Sequence, residues 1–448
     1  MSQRAVVVGA GIGGLASAIA LSRSGHEVVV VERDDTPMPA DVEGAFAWDR
    51  RGAPQVRHTH GFPALIRCVL RDRFPDVLDA LRAAGVRELS IFPPVVPAGT
   101  PGYERDQDDL QVLACRRTTL EWVLRRCALA EPGVSFRTGV GVQGLLGSGA
   151  IPFRVTGVRL DDGTTLEADV VVAASGRRAD VPGWFAAHGV DIPETETPTG
   201  TMYLSRWYRG VDLPLGFLGG RRAGVGFVVA GADHGHYSVT LAVPTTDAEL
   251  RAHALRNFEA VARCFREIAP VLDAGGEAAT PVETMGGLIN RIRRFVHDDG
   301  TPRVHGFLAV GDAHTCTNPV YGRGSSLAVL QATLAADALA AHPGDPDAAA
   351  RAYEAASAAR VEPWYHVSLG TDSGTPTLDL QQLRRVAGGG DPRLAILVVK
   401  TLSLLVTPAE VFGDPDVMAG MEAIAAAPRP LRADYKPLTR DDLLAARQ

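Results

Sequence analysis

Three glycines near the start of the chain have the spacing that a dinucleotide-binding turn requires. They form a G-x-G-x-x-G pattern at Gly9, Gly11 and Gly14, and an acidic residue, Glu32, follows twenty-three residues after the first of them. Gly9 permits a tight turn, Gly11 lets a pyrophosphate approach the backbone, and Gly14 lets a helix pack closely on a strand. Glu32 could accept hydrogen bonds from ribose hydroxyls. Its carboxylate would repel a 2′-phosphate, so the pattern favours the adenosine ribose of FAD or NAD.

The residues around these glycines predict the elements that hold them. Residues 4–9 form a short β-branched run, residues 15–24 predict a helix, and residues 26–31 predict a second strand. The unpaired N–H groups and the positive dipole end of the helix would then face the phosphates. A glycine-rich turn that binds nothing is the alternative. The order of strand, turn, helix, strand and acid favours a dinucleotide site.

A second glycine-bearing turn lies far along the chain. Residues 304–312 form a strand that ends in Gly-Asp, and a helix follows over residues 325–341. The loop between them contains His314, Asn318, Pro319, Tyr321, Gly322 and Gly324. A continuously apolar strand over residues 169–174 stops on Ser-Gly-Arg at residues 175–177, as a buried strand does when it delivers a turn to a site.

Polar residues that could act near these turns are few. His58 and His60 follow Arg57, either as a metal pair or as a polar loop over a cofactor; without a third ligand nearby, the metal interpretation is disfavoured. Arg117 begins a predicted amphipathic helix. It is either a solvated arginine or a group that reaches a phosphate or ribityl chain. We expect no metal site.

The fold class follows from the same periodicities. We predict an α/β protein with a Rossmann-like nucleotide-binding domain, an inserted α+β domain with a mixed sheet, and a helical C-terminal region. The expected units are residues 1–185 and 301–345 for the two parts of the nucleotide-binding domain, 186–300 for the inserted domain and 346–448 for the helical region.

Two further predictions concern strands. Residues 134–146, 153–160 and 165–174 predict three antiparallel strands, with a hairpin turn between the last two. The inserted domain is rich in aromatic residues that could line an apolar pocket, although most members of such a set pack in a core. They are Tyr203, Trp207, Tyr208, Phe217, Phe227 and Tyr237.

Composition narrows the class of protein. The 448 residues carry a net charge of -7 without a dominant basic block, which argues against a nucleic-acid surface. The five cysteines are scattered, and we see no signal peptide, so we expect a reduced, cytoplasmic setting. The apolar run over residues 394–406 is interrupted by Lys400 and is too short for a membrane span. We expect a packed helix there.

Three separated elements together resemble the FAD-dependent monooxygenases of the para-hydroxybenzoate hydroxylase fold. They are the first glycine turn with Glu32, the strand that ends in Ser-Gly-Arg, and the Gly-Asp turn with its Asn-Pro-x-x-Gly-x-Gly loop. The resemblance covers most of residues 1–340, and it is nearest to the branch of actinobacterial epoxidases and styrene-monooxygenase-like enzymes.

The resemblance implies FAD as cofactor and assigns roles to individual positions. Asp312 would hydrogen-bond the ribityl chain, Pro319 and the backbone of residues 322–325 would lie at the pyrimidine edge of the flavin, and Arg117 would lie near phosphates and ribityl. The full expected cofactor set is Gly9, Gly11, Gly13, Gly14, Glu32, Arg33, Arg117, Asp312, Pro319, Gly322, Gly324 and Ser325. The candidate substrate contacts are Tyr203, Trp207, Phe217, Phe227, Tyr237 and Tyr321, and the candidate acid–base residues are His58, His60 and His314.

The implied reaction inserts one oxygen atom from O2 into a hydrophobic small molecule, by hydroxylation or epoxidation through a flavin C4a-hydroperoxide, in secondary metabolism. Aromatic hydroxylases read Asp-Gly where this chain has Ser175-Gly176, so NAD(P)H could reduce the flavin directly or through a separate flavin reductase. Halogenation is disfavoured because no lysine precedes Lys400. The alternatives are an FAD-dependent reductase of the geranylgeranyl-reductase type and a flavin-binding protein without turnover.

Overall fold

The first third of the chain alternates strands with helices. The structure, a computed structural model, describes residues 3–93, 96–97, 99–148, 152–374, 391–426 and 437–447. The elements of this part are β1 (Arg4–Val8), α1 (Ile12–Arg23), β2 (Glu27–Glu32), α2 (Ala64–Arg73), α3 (Pro75–Ala83), β3 (Arg87–Ser90), α4 (Glu104–Asp109), β4 (Gln111–Ala114), α5 (Arg117–Ala130) and β5 (Val134–Thr138).

The middle of the chain is mostly β-structure. Its elements are β6 (Val142–Ser148), β7 (Phe153–Leu160), β8 (Thr165–Glu167), β9 (Val170–Ala173), α6 (Val181–Ala186), β10 (Glu194–Pro198), β11 (Thr201–Arg209), β12 (Phe217–Arg222), β13 (Val225–Gly231), β14 (His236–Pro244), α7 (Ala248–Arg256), α8 (Phe258–Arg263), α9 (Ala269–Leu272), β15 (Glu277–Ala278), β16 (Glu283–Met285) and β17 (Ile289–Arg293).

The last third is mostly helical. Its elements are β18 (Val304–His305), β19 (Phe307–Ala309), β20 (Thr315–Cys316), α10 (Arg323–Ala341), α11 (Pro346–Arg360), α12 (Glu362–Asp372), α13 (Pro392–Leu402), α14 (Pro408–Phe412), α15 (Pro415–Ala426) and α16 (Arg440–Ala445). The predicted packed helix over residues 394–406 corresponds to α13. The parts of the predicted helical region at residues 375–390 and 427–436 lie outside the described residues.

A parallel five-stranded sheet organises the nucleotide-binding part. Its strand order is β19-β9-β1-β2-β5, with β1 between β9 and β2 in parallel register. The predicted α/β class with a Rossmann-like sheet, further sheets and C-terminal helices is confirmed. Strands from residues 4, 170 and 307 thus meet in one sheet, so the loops after their carboxyl ends share one edge.

The prediction of three antiparallel strands between residues 134 and 174 is wrong in part. Antiparallel pairing holds for β6, β7 and β8, but β5 pairs in parallel with β2, and β9 pairs in parallel with β1. The predicted third strand divides because Asp169 accepts a hydrogen bond from the backbone N–H of Arg4 at 2.8 Å, which aligns the start of β9 with β1. The uninterrupted apolar residues of β9 then suit a strand buried on both faces.

Two helices carry the glycine turns and pack against each other. A Cβ added to Gly13 in α1 would lie 3.3 Å from the Cβ of Ala328 in α10, so small residues let the helices approach closely. Of the described helices, α10 alone is long and apolar enough to cross a membrane, and 72% of its apolar window is buried inside the protein. It is therefore a core helix here.

A six-stranded antiparallel sheet forms the inserted part. Its order is β12-β13-β14-β11-β15, and β16 also pairs with β11. Alternation along β11 separates two faces: Leu204 and Tyr208 pack with Phe258 of α8 in one apolar core, and Tyr203 and Ser205 point to the other side. This second face lies toward the nucleotide-binding part.

Candidate active site

The carboxyl edge of the parallel sheet opens on a large cavity. The cavity has a volume of about 500 Å³ and receives residues from both glycine turns, from the loop with His58 and His60, and from the Ser175-Gly176 turn. Most of the residues expected to bind a cofactor line it: Gly9, Gly11, Gly13, Glu32, Arg33, Arg117, Asp312, Pro319, Gly322, Gly324 and Ser325. Segments about three hundred residues apart in sequence therefore face one space.

The first turn has the geometry that its glycines require. Gly9 has φ of +101°, where a side chain would be strained, and a Cβ on Gly14 would lie 1.8 Å from the carbonyl oxygen of Gly9. Gly14 is therefore a packing residue and does not line the cavity. A Cβ on Gly11 would meet nothing within 4 Å, so the backbone there is open to the cavity.

Glu32 lies at the end of β2 and already has backbone partners. Its two carboxylate oxygens accept hydrogen bonds from the N–H groups of Ala10 at 2.9 Å and Asp34 at 3.0 Å. Each oxygen keeps a further acceptor site, and the residue lines the cavity. The carboxylate thus holds the first turn against β2, and ribose binding by Glu32 stays a prediction.

Arg50 was not identified from the sequence. It is buried and binds Glu121 of α5 at 2.6 Å and Asp34 at 2.9 Å, and it lies 3.7 Å from Glu32. It also donates to the carbonyl oxygen of Ala10 at 3.2 Å. Its loop has no periodicity that would mark it, and its role becomes visible only when three acids from separate elements converge on it.

The second turn is built from side chains. Gln331 of α10 accepts a hydrogen bond from the N–H of Gly311 at 2.8 Å, and Asn318 accepts from Tyr203 Oη at 2.6 Å and from the N–H of Val320 at 3.1 Å. Asn318 also donates to Asp372 of α12 at 2.8 Å. A tyrosine of the inserted sheet and an aspartate of the C-terminal region therefore fix this loop. Asn318 and Asp372 as anchors were also missed from the sequence.

Asp312 lies in this second turn, is partly buried and lines the cavity. Burial raises the pKa of its carboxyl above the ordinary value, and the positive charges of Arg117, Arg177 and Arg291 act in the opposite direction. A hydrogen bond from Cys316 also lowers the pKa of this carboxyl, and its remaining acceptor sites are those that a ligand in the cavity would fill.

Arg117 begins α5 and reaches the cavity. Its guanidinium lies 3.5 Å from Glu121 and 3.4 Å from His60 Nε2, and its Nε is buried without a hydrogen-bond partner in the described structure. A ligand with oxygen acceptors would satisfy this donor.

The structure separates the three candidate histidines. His58 and His60 line the cavity, and burial lowers the pKa of His58 to about 4 and that of His60 to about 3, with Arg177 and Arg117, respectively, acting in the same direction. Both rings are thus neutral near pH 7. His314 lies outside the cavity: its Nε2 is 3.2 Å from Glu354 and its Nδ1 is 2.7 Å from Thr315 Oγ1. It therefore has structural partners on both ring nitrogens.

The candidate substrate residues also divide. Tyr203 lines the large cavity and a small adjoining cavity of about 20 Å³, and Phe217 and Tyr321 line the small one. The expectation that Trp207, Phe227 and Tyr237 contact substrate is not supported by this geometry, because they lie outside both cavities. Tyr237 stacks on Tyr208 at 5.0 Å and Phe227 packs on Phe265 at 5.3 Å. Trp207 donates to the carbonyl oxygen of Arg57 at 3.1 Å.

The residues of the large cavity fit an FAD molecule. Neither α1 nor α10 has a side-chain cap within the described chain, so their first N–H groups are left for phosphate or flavin oxygens. The open backbone at Gly11 and the unpartnered Nε of Arg117 meet the same requirement. Across the described residues, no group of three or more potential metal ligands is found.

Comparisons with known proteins agree with this geometry. A family model described as an NAD(P)-binding Rossmann-like domain matches residues 7–81. Protein Rv3254 of Mycobacterium tuberculosis is 29% identical over 359 residues, 73% of this chain and 71% of that protein. Kynurenine 3-monooxygenase of Salinispora arenicola is 28% identical over 392 residues, 79% of this chain and 76% of that enzyme.

Solved structures share the fold at low identity. The probable FAD-dependent monooxygenase pqsL from Pseudomonas aeruginosa has a TM-score of 0.62 at 19% identity, covering 90% of this chain and 100% of that one. The flavin-dependent brominase Bmp2 has a TM-score of 0.63 at 17% identity, covering 95% and 98%. The family model supports a nucleotide-binding Rossmann-like domain over residues 7–81. The chain has the fold of the FAD-dependent monooxygenases.

Proposed function

We propose that this protein is an FAD-dependent monooxygenase that inserts one oxygen atom from O2 into a hydrophobic small molecule, by hydroxylation or epoxidation. The observation that carries the proposal is that two uncapped helix starts, α1 and α10, open on one cavity together with the carboxyl of Asp312. A single ligand with a pyrophosphate at one end and a polar ring at the other satisfies both helix starts.

Each turn would hold a different part of the cofactor. The first turn would bind the pyrophosphate through the backbone at Gly11 and Gly13, with Glu32 near the adenosine ribose and Arg33 beside it. Arg117 and Asp312 would hold the ribityl chain. The ring edge would lie on Pro319 and the backbone of residues 322–325. Bound FAD would supply hydride acceptance and the activation of O2.

The protein's own residues would position the substrate and exclude water. Tyr203, Phe217 and Tyr321 border the small cavity beside Pro319, which at about 20 Å³ has room for about one water molecule. A substrate that faces the flavin here would therefore move these side chains apart. These walls are aromatic and suit an apolar substrate. Charged side chains do not occur among the described residues that line this small cavity.

We also propose bounds for the domains, a cellular setting and an electron donor. We place the cofactor-binding domain at residues 1–185 and 301–345, the substrate domain at 186–300 and the helical region at 346–448, in a cytoplasmic enzyme of secondary metabolism. Within the fold we favour the epoxidase and styrene-monooxygenase-like branch. NAD(P)H would deliver electrons directly or through a separate flavin reductase.

The test begins with the cofactor. The purified protein should be yellow, and Asp312→Ala should weaken FAD binding at least about tenfold, because a charge-assisted hydrogen bond is lost. Reduced protein should then transfer one labelled oxygen atom from ¹⁸O2 to an apolar substrate, as seen by mass spectrometry. Substrate reduction without label would identify the reductase alternative. Bound flavin that no reductant and substrate cycle would identify a binding protein, and either result contradicts the monooxygenase proposal.

A further inference from the structure

Four side chains form a hydrogen-bonded chain between the histidine loop and the inserted sheet. His58 Nδ1 lies 2.8 Å from Ser205 Oγ, and Ser205 Oγ lies 2.6 Å from Thr240 Oγ1. Thr240 Oγ1 donates to Thr59 Oγ1 at 2.7 Å. Ser205 and Thr240 are directly paired across β11 and β14. The chain therefore begins and ends on neighbouring residues of one loop and runs along one face of the sheet.

Both ends of this chain reach a cavity, and Ser205 in its middle is fully buried. His58 lines the large cavity, and Thr59 lines both the large and the small one, beside Tyr203. Ser205 is 0% exposed and lines neither cavity, whereas Thr240 is 3% exposed and lines the small one. Within the described structure, His58 Nε2 has no hydrogen-bond partner, so this nitrogen is free for a water molecule of the cavity.

Because each hydroxyl has one proton, all the hydrogen bonds among these four side chains must point in the same direction. Each hydroxyl carries a single proton, so when Thr240 donates to Thr59, Ser205 must donate to Thr240 and His58 Nδ1–H must donate to Ser205. His58 then has its proton on Nδ1, and Nε2 is an acceptor. If the hydroxyls rotate to the opposite direction, Ser205 donates to His58 Nδ1, and the ring carries its proton on Nε2.

We propose that His58, Ser205, Thr240 and Thr59 form a proton relay between cavity water at His58 Nε2 and a substrate group that binds against Thr59. Water gives a proton to Nε2, Nδ1 passes its proton to Ser205, Ser205 passes one to Thr240, and Thr240 passes one to Thr59. Thr59 gives its own proton to the substrate oxygen or nitrogen. One proton moves in net, water is left as hydroxide in the solvent-connected cavity, and no electrons move.

The surroundings of His58 suit this task. Arg177 and His60 are the charged and titratable groups that act on its ring, and burial with Arg177 lowers its pKa to about 4. A ring that stays neutral between transfers can accept at one nitrogen and donate at the other. The relay rests on the proposed function. It adds to that function a substrate class with a hydroxyl, carbonyl or amino group that changes protonation during the reaction.

The test reads the proton position on His58 without using turnover. In protein labelled with ¹⁵N-histidine, the nitrogen shifts report the ratio of Nδ1–H to Nε2–H tautomers, and the signal that His58→Gln removes is the signal of His58. Thr240→Val does not touch His58, but it leaves His58 Nδ1 as the remaining acceptor for the Ser205 proton. The Nδ1–H to Nε2–H ratio should therefore fall about fivefold, the change that loss of one hydrogen bond produces in an equilibrium.

Matched variants separate the relay from a general disturbance of the strand. Ser238 is buried on the same face of β14, and its hydroxyl has no hydrogen-bond partner in the described structure, so Ser238→Ala should leave the ratio unchanged. Thr240→Ser keeps the hydroxyl and should restore the wild-type ratio. Thr59→Val at the cavity end should also favour Nε2–H, and it serves as the test if Thr240→Val does not fold.

The outcomes distinguish this inference from the proposed function. Folded Thr240→Val and Thr59→Val proteins with the wild-type tautomer ratio would contradict the relay. An equal shift in Ser238→Ala would contradict it as well. Flavin absorbance is recorded on the same samples: a wild-type protein that stays colourless with added FAD contradicts the proposed function, whereas a yellow protein without the tautomer shift contradicts the relay alone.

Discussion

The two turns that face the cavity are built in different ways. The first turn is held by close backbone packing, because Gly14 lies against Gly9, five residues earlier in the sequence. The Glu32 carboxylate also accepts hydrogen bonds from backbone N–H groups of this region. The second depends on side chains from three parts of the chain, because Asn318 joins Tyr203 of β11 to Asp372 of α12. A contiguous motif thus suffices for the first turn, whereas the second requires the inserted sheet and the C-terminal helices to be in place.

The largest effect is expected at the buried ion cluster beneath the first turn. Glu121 and Asp34 are both 0% exposed in their side chains. Arg50→Ala removes the cation that binds both, and Glu121 keeps only the longer contact of 3.5 Å with Arg117. The free energy of unfolding should fall by about 3–5 kcal/mol, as measured by urea denaturation. The neighbouring Arg51 is 74% exposed, so Arg51→Ala should change it by less than about 0.5 kcal/mol. Equal effects of the two changes would show that the cluster does not support the turn.

Within the first turn, Gly14 should matter for packing and Gly11 for cofactor binding. Gly14→Ala places a methyl group against the Gly9 carbonyl and should destabilise the apoprotein by about 3 kcal/mol. Gly11→Ala meets open space at φ of -81°, so it should fold normally and lose FAD affinity. Urea denaturation and FAD titration of both variants check this. If the two variants have similar free energies of unfolding, Gly14 is not a packing residue distinct from Gly11.

Lowering the pH should destabilise the protein through His58 and His60, whose loop touches the second turn. The pKa of His58 is lowered to about 4 and that of His60 to about 3, below the value of about 6.5 that histidine has in an unfolded chain. As the pH falls, the histidines are protonated in the unfolded chain before they are protonated in the folded protein. Their full contribution to the free energy of unfolding is therefore present above about pH 6.5, and it is lost as the pH drops toward the folded pKa values. Between about pH 7 and pH 5, each histidine should lower the free energy of unfolding by about 2 kcal/mol.

Urea denaturation at the two pH values measures this loss. His58→Gln removes one titrating group, so its stability should depend less steeply on pH than that of the wild type. An unchanged slope would mean that His58 is not buried and neutral in solution.

The smallest effect is expected at the anchor of the second turn. Asp372 accepts from Asn318 at 2.8 Å and from Asn290 at 2.7 Å, so Asp372→Asn turns one acceptor into a donor and loses one hydrogen bond. The cost should be about 1 kcal/mol of stability. FAD should also bind more weakly, because the loop with Pro319 is less well fixed. Thermal unfolding with and without FAD tests both, and an unaffected FAD affinity would show that α12 does not position the second turn.

The same difference explains what the sequence could predict. The first turn with its flanking strands and the start of α10 were predictable because each is encoded by contiguous residues with a fixed spacing. The parallel pairing of β5 and β9 was not, because their partners β2 and β1 lie more than a hundred residues away. Arg50, Asp372 and the Ser205–Thr240 pair were not, because their partners lie in other elements and nothing in their local sequence marks them. The aromatic residues divide for a related reason. Phe227 and Tyr237 pack in the apolar core of the inserted sheet. Trp207 shares the face of β11 that carries Tyr203, but it packs under the histidine loop, whereas Tyr203 reaches the cavity.

FAD titration of the apoprotein, followed by flavin fluorescence, measures whether both turns bind one flavin. We expect one FAD per chain and weaker binding when either turn is altered, in Gly11→Ala and in Asp312→Ala. Absence of FAD binding, or wild-type affinity in one of these two folded variants, would contradict this expectation.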